Sequence, residues 1–122
     1  MSSKTSRQRL GQWGENLAAQ YLQKRGYQVV ARNVRGQYGE IDIIAEKKQT
    51  LIFVEVKTRS TDSFGMPEDA ITPRKAERMI LCAEEYLLEH PGAPENWRID
   101  VIAIRRRGHL PPDIQHFENA LM

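Results

Sequence analysis

The chain has 122 residues, of which 40% are hydrophobic and 28% are charged, and its formal net charge is +2. These values are typical of a soluble globular protein with a single domain over residues 1–122, large enough to bury a core without metal or disulfide support. The single cysteine, Cys82, excludes an intramolecular disulfide, and no apolar run is long enough for a secretory signal or a membrane span, so we expect a cytoplasmic protein.

Positive charge is concentrated in the first 36 residues. They contain one acidic residue, Glu15, and seven basic ones: Lys4, Arg7, Arg9, Lys24, Arg25, Arg32 and Arg35. A partner with a phosphate backbone favours such a segment, since each neutralised phosphate releases counterions. A solvated helix face behind a loose tail explains the charge equally well. Residues 1–8 are expected to be a flexible basic tail.

The first predicted element is a helix that ends near Gly26. Thr5 and Ser6 are candidate N-terminal caps, and Lys24 and Arg25 before Gly26 form a C-terminal stop signal. The apolar residues of the segment recur three and four positions apart, as one face of a helix requires. They are Leu10, Trp13, Leu17, Ala18, Tyr21 and Leu22.

Three strands are predicted after this helix. They cover residues 27–33, 40–45 and 51–58, with loops at residues 35–39 and 46–50. The first is expected at an edge of the sheet. The turn between the second and third is polar and short, so these two strands should form an antiparallel hairpin. Residues 59–71 are rich in Ser, Asp, Gly and Pro and are expected to be irregular.

The second half of the chain predicts one more helix and one more strand. Thr72 and Pro73 are a cap residue and a first-turn proline, and helical spacing of apolar residues continues until His90. Residues 97–105 are apolar on both faces, which indicates a buried strand, whereas residues 113–122 fit either a strand or a helix. The order α-β-β-β-α-β predicts an α/β fold in which helices cover both faces of a mixed sheet.

Two charged residues, Glu55 and Lys57, lie at the end of a strand that is otherwise apolar on both faces. Side chains two positions apart share a face, so both lie on the face of Phe53, and Val54 and Val56 lie on the other. Burying either charge alone is unfavourable, so each requires a partner, a metal ion or a cleft. An ordinary ion pair at a solvated strand end is the alternative.

A second carboxylate, Asp42, lies in the preceding strand. If Asp42 lies across from Glu55, two carboxylates and Lys57 converge on one point. Two negative charges that close repel each other unless something positive lies between them, and oxygen ligands of this kind suit Mg²⁺ or Mn²⁺. The arrangement requires a register in which Glu46 faces Leu51 across a loop of four residues.

Asp42, followed after twelve residues by Glu55-Val56-Lys57, resembles the D-x(n)-(D/E)-x-K signature of restriction-endonuclease-like nucleases. Most of the chain resembles the YraN family of predicted bacterial endonucleases, which is similar in pattern to archaeal Holliday-junction resolvases. The segments that carry this resemblance are Trp13-Gly14-Glu15, Gly39-Glu40-Ile41-Asp42, Phe53-Val54-Glu55-Val56-Lys57-Thr58-Arg59 and residues 70–75. The resemblance implies a restriction-endonuclease-like fold, with a central mixed β-sheet between helices, and endonuclease activity that depends on Mg²⁺ or Mn²⁺.

The same resemblance implies roles for individual residues. Asp42 and Glu55 would bind the divalent cation, with the carbonyl oxygen of Val56 as a further ligand. Lys57 would orient or help deprotonate the attacking water and stabilise charge on the scissile phosphate. Glu15 matches the helix-borne acid of the resolvase pattern, with an ordinary solvated glutamate as the alternative.

Several other side chains have candidate roles. The basic residues that could contact nucleic acid are Arg32, Arg35, Arg59 and Lys75. Exposed salt bridges explain Arg59 and Lys75 equally well. The three histidines show no metal-ligand spacing and are expected at the surface or at helix ends. Asp100 is either a core acid paired with a basic side chain or a residue near the site, and the structural role is favoured.

The sequence therefore predicts a nuclease that hydrolyses phosphodiester bonds in structured or branched DNA by means of metal-activated water. The main alternative is a non-catalytic module that keeps the fold and binds nucleic acid or protein. A third hypothesis is a structural partner without affinity for nucleic acid. Many proteins of this fold act as dimers, and by that analogy alone a homodimer is a further hypothesis.

Overall fold

The computed structural model describes residues 4–60 and 71–121, which form two helices and one five-stranded sheet. The elements are α1 (Ser6–Lys24), β1 (Gln28–Gly36), β2 (Gly39–Lys47), β3 (Thr50–Arg59), α2 (Pro73–Glu89), β4 (Asn96–Arg107) and β5 (Leu110–Phe117). The predicted order α-β-β-β-α-β is confirmed, and residues 113–117 of the segment that fitted either a strand or a helix belong to β5. Neither helix of the described residues combines the length and apolarity needed to cross a bilayer.

The strands lie in the sheet in their order along the chain, β1-β2-β3-β4-β5. Strands β3 and β4 are parallel, and every other neighbouring pair is antiparallel. The parallel pair arises because α2 lies in the crossover between β3 and β4, whereas short turns join the antiparallel pairs. The predicted mixed sheet, the β2–β3 hairpin and the edge position of β1 are all confirmed.

Each helix covers one face of this sheet. The cluster under α1 contains Ala18, Leu22, Ile43, Ala45, Ile52, Val54, Ile102 and Ile104. The cluster under α2 contains Ile41, Ile44, Leu51, Phe53, Met79, Cys82, Ala83, Tyr86 and Ile99. Successive residues of β3 thus enter opposite clusters, because side chains alternate across a strand. The α/β architecture of a central mixed sheet between helices is therefore confirmed, and β3 is buried on both faces as predicted.

Helix α1 begins at Ser6, whereas a flexible tail was predicted for residues 1–8. Thr5 is the N-cap: its hydroxyl accepts from the amide of Gln8 at 3.1 Å, and the side chain of Gln8 accepts from the amide of Thr5 at 2.8 Å. This reciprocal capping box satisfies two donors that a helix start leaves unpaired. Residues 6–8 are therefore helical, which corrects the tail prediction there; residues 1–3 lie outside the described part of the chain.

The predicted loop at residues 35–39 is shorter in the structure, because β1 and β2 remain paired as far as Gly36 and Gly39. The turn is fixed by α2, since the carboxylate of Glu85 accepts from the amide of Gln37 at 2.9 Å. A side chain at Gly36 would lie 2.2 Å from Glu85, and Gly39 has a positive φ of 140°. Most of the predicted irregular segment, residues 61–70, lies outside the described residues.

Candidate active site

The β2–β3 hairpin has the predicted register. Glu46 pairs with Leu51, and the pairing continues to Ile43 and Val54, where it ends. The next residue of each strand is a carboxylic acid, Asp42 in β2 and Glu55 in β3. The two acids therefore lie at the point where these strands separate, and the register prediction is confirmed.

Where the backbone pairing of β2 and β3 ends, the side chain of Asp42 accepts a hydrogen bond from the backbone of β3. Its Oδ2 atom accepts from the amide of Val56 at 2.8 Å. Burial, and after it the negative charge of Glu55, raise the pKa of Asp42 to about 7, against the lowering effect of the hydrogen bond from Val56. The carboxyl group of Asp42 is therefore held in a position where its ionisation is unfavourable, both because it is buried and because Glu55 is negatively charged.

The regular alternation of β2 is broken at Asp42. Ile41 packs in the cluster under α2, whereas Ile43 packs in the cluster under α1. Side chains two positions apart in a regular strand lie on the same face. The strand thus changes phase between Ile41 and Ile43, where its pairing with β3 ends.

Glu55 is almost fully buried, with a side chain that is 9% exposed, and two ammonium groups neutralise it. The Nζ atom of Lys75 lies 2.8 Å from its Oε2 atom, and the Nζ atom of Lys57 lies 3.3 Å from the same oxygen. Lys57 comes from the same strand, whereas Lys75 comes from the first turn of α2. A buried carboxylate needs such partners, since an uncompensated charge there costs several kcal/mol.

Glu15 reaches the same region from α1. Its Oε1 atom accepts from Arg32 at 3.0 Å and from the side-chain amide of Asn33 at 2.8 Å, and 14% of its side chain is exposed. Helix α1 can approach β3 this closely because residue 14 is glycine: a side chain there would lie 2.0 Å from the hydroxyl of Thr58. Glu15 is therefore fixed at the site and is not a freely solvated helix residue.

Asp42, Glu15 and Lys57 line one open cleft of about 1090 Å³ between the start of α1 and the ends of β1, β2 and β3. Its basic lining residues are Lys4, Arg7, Arg32, Arg35, Lys57 and Arg59, and its acidic ones are Glu15, Glu40 and Asp42. Basic groups outnumber acidic groups two to one, so the cleft favours an anionic partner.

The four predicted nucleic-acid contacts have different surroundings. Arg32 is bound to Glu15 and to Asn16, and Lys75 is bound to Glu55. Arg35 pairs with Glu40, and 81% of its side chain is exposed. Arg59 lines the cleft and donates to the carbonyl of Thr58. Arg35 and Arg59 thus face the cleft with little burial, while Arg32 and Lys75 position carboxylates.

Sequence reasoning did not identify Lys4, Arg7 or Gln12 as residues of the cleft, nor Asn33 as a partner of Glu15. Asn33 has a positive φ of 52°, a conformation that asparagine tolerates better than most residues. An asparagine at the end of a predicted strand is the signal that could have drawn attention to it.

A second group of potential metal ligands lies, among the described residues, on β4, on β5 and directly after β5. Asp100, His116 and Glu118 bring one ligand atom each within 4.8 Å of one another. Arg98 already binds Asp100 at 2.9 Å and Glu118 at 3.0 Å, and His116 binds Asp100 at 2.8 Å. Although burial alone would raise the pKa of Asp100, the hydrogen bonds from His116 and Arg98 hold it below its usual value.

Asp100 is therefore a fully buried core acid paired with a basic side chain, which confirms the favoured structural role. The sequence predicted that all three histidines lie at the surface or at helix ends. This prediction is wrong for His116, because its side chain is only 8% exposed and binds Asp100. The error arose because its partner lies on the neighbouring strand β4, which no local pattern indicates.

Proteins from several organisms that carry the name UPF0102 protein are similar to this chain. The protein from Syntrophotalea carbinolica is 44% identical over 111 residues, which cover 91% of this chain and 89% of the relative. The protein from Syntrophomonas wolfei is 47% identical over 95 residues, which cover 78% and 83%. The protein from Roseiflexus castenholzii is 48% identical over 100 residues, which cover 80% of each chain.

One solved structure, that of Archaeoglobus fulgidus Hjc, a Holliday junction resolvase from an archaeal hyperthermophile, aligns with 88% of this chain and 85% of its own. The sequence identity is 14% and the TM-score is 0.45, a level of similarity that does not assign a function. Residues 14–104, which include Glu15, Asp42, Glu55 and Lys57, match the sequence profile of the uncharacterised protein family UPF0102. The chain therefore belongs to family UPF0102, the YraN family that its motifs predicted.

Proposed function

We propose that this protein is a metal-dependent nuclease that hydrolyses phosphodiester bonds in structured or branched DNA. The observation that carries the proposal is the pKa of Asp42, which burial and the charge of Glu55 raise to about 7 at the wall of a basic cleft. An ionised carboxylate in these surroundings destabilises the fold unless a positive ion joins it. Side chains with strongly shifted pKa values concentrate at functional sites, where an arrangement that lowers the stability of the fold is kept because the activity requires it.

A divalent cation fits the chemistry of these side chains. Asp42 and Glu55 would hold Mg²⁺ or Mn²⁺ through carboxylate oxygens, with the carbonyl group of Val56 as a further ligand. Asp42 binds the amide of Val56 through Oδ2, and no described residue donates a hydrogen bond to its Oδ1 atom. The ion would lower the pKa of a water molecule and polarise the phosphoryl oxygens.

Two further side chains of the cleft would assist the reaction. Lys57 would orient the attacking water and stabilise the charge that develops on the phosphate, since its ammonium group lies beside Glu55 and its side chain is 19% exposed. Glu15 would act as the helix-borne acid through its Oε2 atom, because Arg32 and Asn33 both bind Oε1.

The basic wall of the cleft would bind the phosphates that flank the scissile bond. Arg35 and Arg59 keep the role that the sequence suggested, and Lys4 and Arg7 join them because they line the same cleft. Arg32 and Lys75 would act indirectly, by holding Glu15 and Glu55. Preference for DNA and action in the cytoplasm stay predictions from the sequence, and assembly as a homodimer stays a hypothesis by analogy with the fold.

A non-catalytic module that binds nucleic acid or protein is the second candidate, and one observation favours it. Lys57 and Lys75 both contact Glu55, so the charge of this carboxylate is already more than compensated without a metal ion. Such a module would bind DNA equally well with and without Mg²⁺. Its affinity would be unchanged by Asp42→Asn and reduced by removing Arg35 and Arg59.

The experiment that tests the proposal compares cleavage of single-stranded, duplex, flap and four-way DNA in Mg²⁺, in Mn²⁺ and in a chelator. The wild type should cleave at least one substrate only with the ion, and Asp42→Ala and Lys57→Ala should lose at least a hundredfold in rate, as is typical when groups of this kind are removed. Glu84→Ala removes an exposed carboxylate from α2 and is the matched control. Cleavage of no substrate by the wild type, or equal cleavage by the variants, would overturn the enzymatic proposal.

A further inference from the structure

The ion pairs of Glu55 have an uneven geometry. Lys75 and Lys57 both contact the Oε2 atom, at 2.8 Å and 3.3 Å. One oxygen of this buried carboxylate thus contacts two ammonium groups, and the one from Lys75 is the closer.

Lys75 is held at this place by the start of α2. Thr72 is the N-cap, and its hydroxyl accepts from the amide of Lys75 at 3.1 Å. Pro73 at the first position of the helix further restricts the backbone. The cap therefore fixes where the lysine side chain leaves the helix, and that side chain is 21% exposed, so it can also reach solvent.

The two lysines differ in how they are attached to the site. Lys57 follows Glu55 by two residues on β3 and lines the cleft with Asp42, so it stays at the site whatever binds there. Lys75 belongs to a different element and is not among the described walls of the cleft. Its ammonium group can therefore move away without any change in the strand.

We propose that Lys75 is the resident counter-ion of Glu55 and that a divalent cation at Asp42 and Glu55 displaces its ammonium group. This inference rests on the proposed function and names a positioning residue for the same site. A dication and an ammonium group repel each other at this range even if they contact different oxygens. The lysine thus raises the stability of the metal-free protein and lowers the affinity for the metal. Its removal should therefore lower the stability and raise the affinity.

The test measures both effects on the full chain with Lys75→Gln, Lys75→Arg and Arg74→Gln. Lys75→Gln should lower the melting temperature of the metal-free protein by about 4 °C or more, as expected for the loss of a buried ion pair in a small domain. The same variant should bind Mn²⁺ about tenfold more tightly by calorimetry, since one repulsive charge is gone. Lys75→Arg keeps the charge and should resemble the wild type, and Arg74→Gln removes an exposed charge from the same turn and should change the affinity by less than about twofold.

A double-mutant cycle identifies the partner. In the Glu55→Gln background, Lys75→Gln should no longer lower the melting temperature, because the buried charge is absent. If Lys75→Gln does not fold, the wild type is titrated with Mg²⁺ while the side-chain NMR signals of Lys75 are followed. Displacement shifts those signals, and unchanged signals at saturating Mg²⁺ overturn the proposal.

The outcomes separate the two proposals. Saturable Mn²⁺ binding that is equally tight in the wild type, Lys75→Gln and Arg74→Gln overturns the role of Lys75 and leaves the metal site intact. Absence of saturable Mn²⁺ binding in the wild type and in every variant overturns the metal site of the proposed function, and the displacement with it.

Discussion

The carboxylate of Asp42 accepts a hydrogen bond from the amide of Val56 at the point where β2 stops pairing with β3. A side-chain oxygen thus replaces a backbone carbonyl as the partner of that amide. This exchange lets the two strands separate without leaving a buried donor unpaired, which would be costly. The same hydrogen bond fixes Asp42 close to Glu55, where the negative charge of Glu55 makes ionisation of Asp42 unfavourable.

Replacing Asp42 by Asn should stabilise the metal-free protein near pH 8. The folded state holds the pKa of Asp42 at about 7, above its ordinary value of 3.8. Between these values the folded state binds a proton that the unfolded state does not, so stability falls as the pH rises from about 4 to about 7. Asparagine keeps an acceptor for Val56 and carries no charge, so Asp42→Asn should remove this fall and add about 1–3 kcal/mol to the free energy of unfolding at pH 8.

Urea denaturation at pH 5 and at pH 8 measures this difference. Asp113→Asn, at an exposed position of β5, is the control and should show the wild-type dependence. A variant Asp42→Asn that is less stable than the wild type at pH 8 would show that Asp42 is a favourable ion in the folded protein.

Replacing Gly14 by Ala should separate α1 from β3. The added carbon would lie 2.0 Å from the hydroxyl oxygen and 2.9 Å from the Cβ atom of Thr58, so the helix itself must shift. Overpacking of this kind costs about 1–3 kcal/mol, and it should also move Glu15 and reduce cleavage. Gly11→Ala is the control on the same helix, because nothing lies within 4 Å of the new carbon.

Thermal unfolding of both glycine variants measures the effect. Gly11→Ala should be neutral or stabilising by up to about 1 kcal/mol, since alanine favours a helix over glycine. Equal stability of the two variants would mean that α1 does not approach Thr58 closely in solution.

Replacing Arg7 or Arg59 by Gln should weaken DNA binding without changing its dependence on sequence. Both residues line the cleft, and each phosphate contact that is lost should reduce the slope of log affinity against log salt by about 1. Lys48→Gln removes a charge from the turn at the opposite end of the β2–β3 hairpin and is the control. Fluorescence anisotropy with labelled four-way and duplex DNA gives the affinities, and an equal loss for Lys48→Gln would mean that only net charge matters.

Calorimetry with Mn²⁺ should distinguish the two groups of potential metal ligands. Glu55→Gln should weaken Mn²⁺ binding by at least tenfold, because it removes one of two proposed carboxylate ligands. Glu118→Gln should change it by less than about twofold, since Arg98 already binds both Glu118 and Asp100 and keeps a cation away. The reverse result would move the metal centre to the group around Asp100.

Local patterns in the sequence were sufficient for the elements and for the register of the hairpin. The cap at Thr72 and Pro73 and the alternation of apolar residues in β3 depend only on neighbouring residues, so they could be predicted. The same is true of the pairing of Glu46 with Leu51, because a short turn fixes how two strands meet. The motif Glu55-Val56-Lys57 also predicted that charged side chains lie together at the end of β3, where Lys57 contacts Glu55.

Packing between distant segments decided the rest. Lys75 and Glu55 are twenty positions apart, and Arg32 and Glu15 are seventeen apart, so no periodic pattern connects them. The change of face at Asp42 follows from the separation of two strands, which depends on what covers them. Propensity and periodicity act over a few residues, whereas the partner of a buried charge is set by which helix comes to lie against which strand.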